Sequence, residues 1–268
     1  MYAEALALEM LTDRDVEFAL LATGSVPGPR LQRVVHSVRQ DPQLLAALLD
    51  DHRLGPATAA DPEILLKVSP YFFFSVLLHS ARRELRTRSF TAEWLGPRHR
   101  VPVFDAQRVA GVLGDGEVVH YLGDLLASFT AIGRMRPPVG PAERPSPRGR
   151  HRNERFSELD LDGWRRLRQR ADAVDHFALD RRLGDVALFL AGVFPDSARG
   201  TAELDEWESE SENRYRRAAR DPRARQCGLE EILAHLAGEL HPARKALNFV
   251  ADRYLQPLRD GWFLVGAS

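Results

Sequence analysis

The apolar positions of this 268-residue chain fall in helix-length runs separated by caps and breakers. Thr12 stands ahead of a run through Phe18 to Ala22, Asp13 and Asp15 suit its positive end, and the stretch from Gly24 to Pro29 stops it. Leu31, Val34, Val35 and Val38 recur at spacings of three and four, which predicts an amphipathic helix over 31–39. Asp41 and Pro42 have N-cap and N1 chemistry for the next helix, where Leu44, Leu45, Leu48 and Leu49 repeat the stripe. Asp61 and Pro62 open a short helix through Ile64 and Leu65.

Ser69 and Pro70 start the segment YFFFSVLLHSARRELR, which is apolar on every side for two turns and turns polar only after His79. A helix of that kind is buried in a core or covered by another subunit. Ser89 and Phe90 to Leu95 read as a short helix closed by Gly96 and Pro97. The least helical part of the chain is RVPVF followed by GEVVHYL, which together predict a small β-ribbon near 99–121. The helical period resumes from Leu122 to Ile132.

Arg134 to Arg155 holds five prolines and almost no bulky apolar residue, so it buries too little surface to offset its ordering entropy and reads as a flexible loop. Beyond it, Leu159 to Ala171 and Phe177 to Phe194 predict two helices. Gly184 and Gly192 in the second suggest close approach of a neighbouring backbone. Thr201 opens a helix that is acidic from Glu203 to Glu212 and basic from Arg214 to Arg220, the order the helix dipole favours. Leu229 to Leu240 and Ala243 to Leu255 complete the helices, and the tail offers Trp262 and Phe263 for docking.

The expectation is therefore a mainly α protein, an irregular multi-helix bundle or orthogonal helical domain with one small ribbon. An N-terminal helical half (1–133) and a C-terminal half (156–268) flank the loop at 134–155 and pack as one domain, with Tyr71 to Leu78 and Val186 to Phe194 meeting at its centre. There is no internal repeat, and the heptad pattern is too short-lived for a coiled coil.

Composition changes this picture little. At 44% hydrophobic the chain can build a core, and its net charge of −1 gives no global pull toward nucleic acid or anionic lipid. Two lysines, Lys67 and Lys245, stand against thirty-five arginines, as in a GC-rich coding sequence, which weakens arginine clusters as functional signals. Cys227 is the one cysteine, the N-terminus lacks a basic leader, and no apolar run reaches the roughly 20 residues of a membrane span; a soluble, cytoplasmic protein is expected.

Candidate chemistry is sparse. His120 with Asp124, Asp172 with His176, and Glu231 with His235 are acid–histidine pairs at i,i+4, a spacing that puts both side chains on one helix face, as helical di-metal sites require. Nine histidines at this acid frequency produce about 2.5 such pairs by chance, and the same pairs support helices locally. Arg144, Arg148, Arg150, Arg152 and Arg155 make the loop a basic arm able to neutralise phosphates, yet no aromatic precedes Phe156 for base stacking. The acidic run from Glu203 to Glu212 could hold that loop by surface ion pairs. No nucleophile elbow, dinucleotide fingerprint or P-loop is present. Cys227 before a helix, Asp185 beside Arg181 and Arg182, and Glu84 after the phenylalanines each have a simpler structural role. The reading is a binding or regulatory protein acting through protein contacts or self-association, without a cofactor. A metal-dependent helical enzyme and a nucleic-acid binder are the alternatives.

Overall fold

In the computed structural model Thr12, Asp41, Ser69, Asp160 and Asp221 each cap the start of a helix with a side-chain oxygen. The structure describes residues 9–24, 30–59, 63–97, 99–130 and 157–256. The arginine-rich segment, with Arg144, Arg148, Arg150, Arg152 and Arg155, lies outside them, as do Trp262 and Phe263. The fold is mainly α with one two-stranded ribbon, and the chain divides into two compact units, Met1–Ser89 with Asp105–Ser128, and Phe90–Phe104 with Phe129–Ser268.

The first unit contains α1 (Asp13–Ala22), α2 (Leu31–Gln40), α3 (Pro42–Leu49), α4 (Leu54–Ala59), α5 (Ile64–Lys67), α6 (Pro70–Arg86), α7 (Ala106–Val112) and α8 (Gly116–Ser128). Thr12 and Asp15 form a capping box at the start of α1. The Asp15 carboxylate also accepts the Ser69 amide at 2.6 Å and the Ser69 hydroxyl at 2.8 Å, so one buried acid ties together the N-termini of α1 and α6. Ser69 caps α6 and Pro70 fills its first turn. From Tyr71 to Ala81 every residue of α6 is buried, with α7 and α8 packed on it. Phe72, Phe73 and Phe74 each contribute about 1.5–3 kcal/mol by leaving water.

Two local expectations are corrected. The segment GEVVHYL is helical: Val118, Val119, Leu122, Leu125 and Leu126 form a single buried stripe of helical period once they are read together, and the Asp115 carboxylate accepts the Glu117 amide at the helix start. Phe90 to Leu95 is not a helix. Thr91–Gly96 is strand β1 and pairs antiparallel with β2 (His99–Val103), opposing Thr91 to Val103, Ala92 to Pro102, Glu93 to Val101 and Trp94 to Arg100, with an irregularity between Trp94 and Gly96. The ribbon belongs to the second unit.

That unit continues with α9 (Leu161–Arg170), a 3-10 turn (Ala173–Asp175), α10 (His176–Val193), a second 3-10 turn (Pro195–Ser197), α11 (Thr201–Ala219), α12 (Pro222–Gln226), α13 (Glu230–Gly238), α14 (Leu240–Val250) and a π turn (Ala251–Leu255). The pairing of α10 with α11 is its spine. Gly184 and Gly192 do admit close neighbours, though these are side chains: a Cβ on Gly184 would lie 2.7 Å from the Tyr215 ring, and one on Gly192 would lie 2.6 Å from Leu247 Cβ. After α12 the chain stops on Gly228 at φ +71°, a left-handed residue that lets the Leu229 amide return to the Ala224 carbonyl at 2.8 Å.

Candidate functional site

Burial along β1 does not follow the simple two-residue alternation of a strand. Thr91 and Trp94 are buried and Glu93 is half-buried, while Ala92 and Leu95 are exposed. Trp94 packs with Ala191, Ala198, Leu204 and Trp207, and its ring N–H donates to Asp196 at 2.8 Å. Arg100, opposite Trp94, reaches Asp196 at 3.4 Å and Asp252 at 3.1 Å.

The strongest anchor is Glu93. Its carboxylate meets Arg244, lies 3.2 Å from Lys245 Nζ and 3.3 Å from His241 Nε2. Glu208 on α11 faces the same group, pairing with Arg244 and accepting from His241 Nδ1 at 3.2 Å. The Arg244 and Lys245 side chains are 1% and 0% exposed, so both cations depend on partners inside the protein. Burial pushes the Glu93 carboxyl up, but His241, Arg244 and Lys245 outweigh it and hold it well below the usual carboxylate range. Hydrogen bonds to Glu208 and then Glu93 raise His241 to about 9, so it is an imidazolium donating from both ring nitrogens at neutral pH. Arg244 also donates to Asn248 Oδ1 at 2.7 Å, and the Asn248 amide donates to the Ala191 and Gly192 carbonyls at 3.0 and 2.7 Å. Those carbonyls belong to the last turn of α10, where the helix has no amides of its own to offer. One continuous polar chain therefore runs from the ribbon through α14 to the end of α10.

The ribbon also exposes apolar side chains. Phe90 and Phe104 flank its open end and meet edge to face with centroids 6.3 Å apart. Phe104 is 83% exposed, Phe90 47% and Leu95 44%, and the register pair Ala92 and Pro102 is exposed as well. A pair of exposed aromatics on a rigidly held element is a form that protein contact surfaces take.

No family model, curated protein or solved structure matches the chain.

The residues singled out in the sequence have other surroundings. His120 Nδ1 lies 2.5 Å from the Tyr71 hydroxyl. Asp172 precedes the first 3-10 turn, and His176 Nε2 meets the Ala171 carbonyl at 3.0 Å. Glu231 and His235 are exposed on α13. Among the described residues no group of three or more His, Cys, Asp or Glu side chains is arranged to hold a metal ion, and no helix is long and apolar enough to cross a membrane.

Asp185 accepts from Tyr215 at 2.8 Å with Arg181 at 3.9 Å, whereas Arg182 turns to Glu158 and covers the Phe129 ring. Glu84 pairs with Arg88. The acidic run of α11 is engaged within its own unit: Glu203 with Arg199, Glu206 and Glu210 with Arg165, Glu208 with Arg244, and Glu212 with Arg216. Sequence reading missed the ribbon anchor. Its one legible trace was His241, Arg244, Lys245 and Asn248, polar at spacings of three and four on an otherwise apolar helix.

Proposed function

We propose that this chain is a binding or regulatory protein acting through protein–protein contacts, and that the exposed Phe90–Phe104 end of the ribbon is its contact surface. The observation carrying this reading is the Phe90–Phe104 pair, left facing water beside the exposed register pair Ala92 and Pro102. The anchoring of the ribbon adds support. A ribbon fixed by Glu93, Trp94 and Arg100 loses little freedom on association, so the apolar surface it offers is not offset by ordering costs. Paired aromatics at the middle of a contact typically dominate its energy.

The test is association of the purified chain, with itself by sedimentation equilibrium and with proteins recovered from its own cells by quantified binding to the purified partner. Phe104→Ser and Phe90→Ser should each weaken the complex at least about tenfold, with the circular dichroism spectrum unchanged. Binding of undiminished strength in the double variant would overturn the reading.

A further inference from the structure

We infer that the packing of α6 on α8 in the first unit is an acid-operated joint, in which protonation of buried His79 and half-buried His120 loosens the two helices while the second unit remains folded. The inference is independent of the ribbon. Tyr71, Ser75 and His79 stand at successive turns of α6, a polar row in a helix otherwise apolar over this stretch. Across the contact, His120 on α8 has its ring 6.1 Å from that of Tyr71, nearly parallel, with Nδ1 at 2.5 Å from the Tyr71 hydroxyl. Where the phenol donates to Nδ1, the incoming proton takes the position that accepts that bond, so the bond must reverse or break.

Around the row there is little to solvate a new charge. Ser75 Oγ is fully buried and has no hydrogen-bond partner among the described residues, and Gly123 lies so close that a Cβ there would come within 2.9 Å of it. His79 Nδ1 lies 3.3 Å from the Asp50 carboxylate at the end of α3, but Arg82 and Arg83 already hold that acid at 2.7 and 3.1 Å and oppose a third cation. Glu117 on α8 favours a charge on His120, and Asp124 lies one turn along the same helix. Lys67 on α5 and Arg108 on α7 are solvent-exposed, and α4 carries no ionisable side chain.

The sign follows from burial. Desolvation draws His79 down despite Asp50, and draws His120 down to about 4, with the charge of His79 adding to the effect. A histidine depressed in the fold contributes its full stability above its unfolded value near 6.5 and loses it as pH falls toward the folded value. A site still neutral in the fold at pH 5 corresponds to about 30-fold in the opening equilibrium, before carboxylate titration intervenes.

The experiment is amide hydrogen exchange on the whole chain between pH 7.5 and 5, corrected for intrinsic rates, with imidazole nitrogen shifts followed by NMR in parallel. Protection in α6 and α8 should fall at least 30-fold by pH 5 while α10 and α11 keep theirs, and the loss should vanish in the His79→Gln, His120→Gln double variant. An equal loss in that variant overturns the inference. So does titration of both imidazoles near 6.5 in the wild-type fold with α6 and α8 still protected, a readout that stands even if the variant does not fold.

Discussion

Neutralising Glu93 puts the ribbon anchor under the sharpest stress. Glu93→Gln keeps the shape and part of the hydrogen bonding but leaves His241, Arg244 and Lys245 with Glu208 as the remaining carboxylate of the cluster. Removing one partner of a buried ion pair costs about 3–5 kcal/mol, because the other charge stays enclosed. The Glu93 side chain is 17% exposed, and Glu208 still serves Arg244, so the cost falls at or just below the lower end of that range, about 2–3 kcal/mol. Glu230→Gln is the matched control, since its partner Arg225 is 80% exposed and solvent replaces the lost pair. Urea unfolding read by amide exchange on peptides of β1, α11 and α14 should show a clear drop for Glu93→Gln and none for Glu230→Gln. Equal behaviour of the two variants would refute the idea that an enclosed charge cluster holds the ribbon.

Four further outcomes follow from the same structure. Gly192→Ala drives a methyl to 2.6 Å from Leu247 Cβ and should destabilise the second unit by about 1–3 kcal/mol; Gly238→Ala, at an open helical position, should stabilise it by up to about 1 kcal/mol in the same unfolding assay. His241 is raised in the fold, so its contribution is complete below pH 6.5 and disappears as pH rises through about 9; the urea midpoint of the second unit should decline over that window, and His241→Gln should flatten the decline. Asp15→Ala strips acceptors from the Thr12 and Ser69 amides at two helix starts and should cost about 1–3 kcal/mol, seen as lost protection in the first turns of α1 and α6.

Local chemistry made most of the helices readable. Thr12, Asp41 and Ser69 are caps by residue type alone, and their backbone partners lie within three positions. The burial of α6 was equally visible, because no surface helix tolerates three consecutive phenylalanines followed by Ser-Val-Leu-Leu. The ribbon was half legible: RVPVF reads as a strand, but its partner was sought downstream in GEVVHYL instead of upstream in TAEWLG. Short apolar runs do not declare their period, and the helical stripe of α8 emerges only when Val118 is read together with Leu126. The anchor was the least accessible, since Glu93 and Arg244 are 151 positions apart and no local pattern links them. The exposed aromatics were hidden for the opposite reason: a phenylalanine in a sequence is read as core unless the strand face it occupies is known.

The claim that the exposed Phe90–Phe104 end of the ribbon is a contact surface meets its most direct test in site-specific photo-crosslinking. A benzophenone side chain introduced at Phe104 should couple to one defined position of one protein, a second copy or a distinct partner. The same probe at exposed Arg225 should not, and Phe90→Ser should suppress the product. Crosslinks at 104 no more frequent or specific than those at 225 would contradict it.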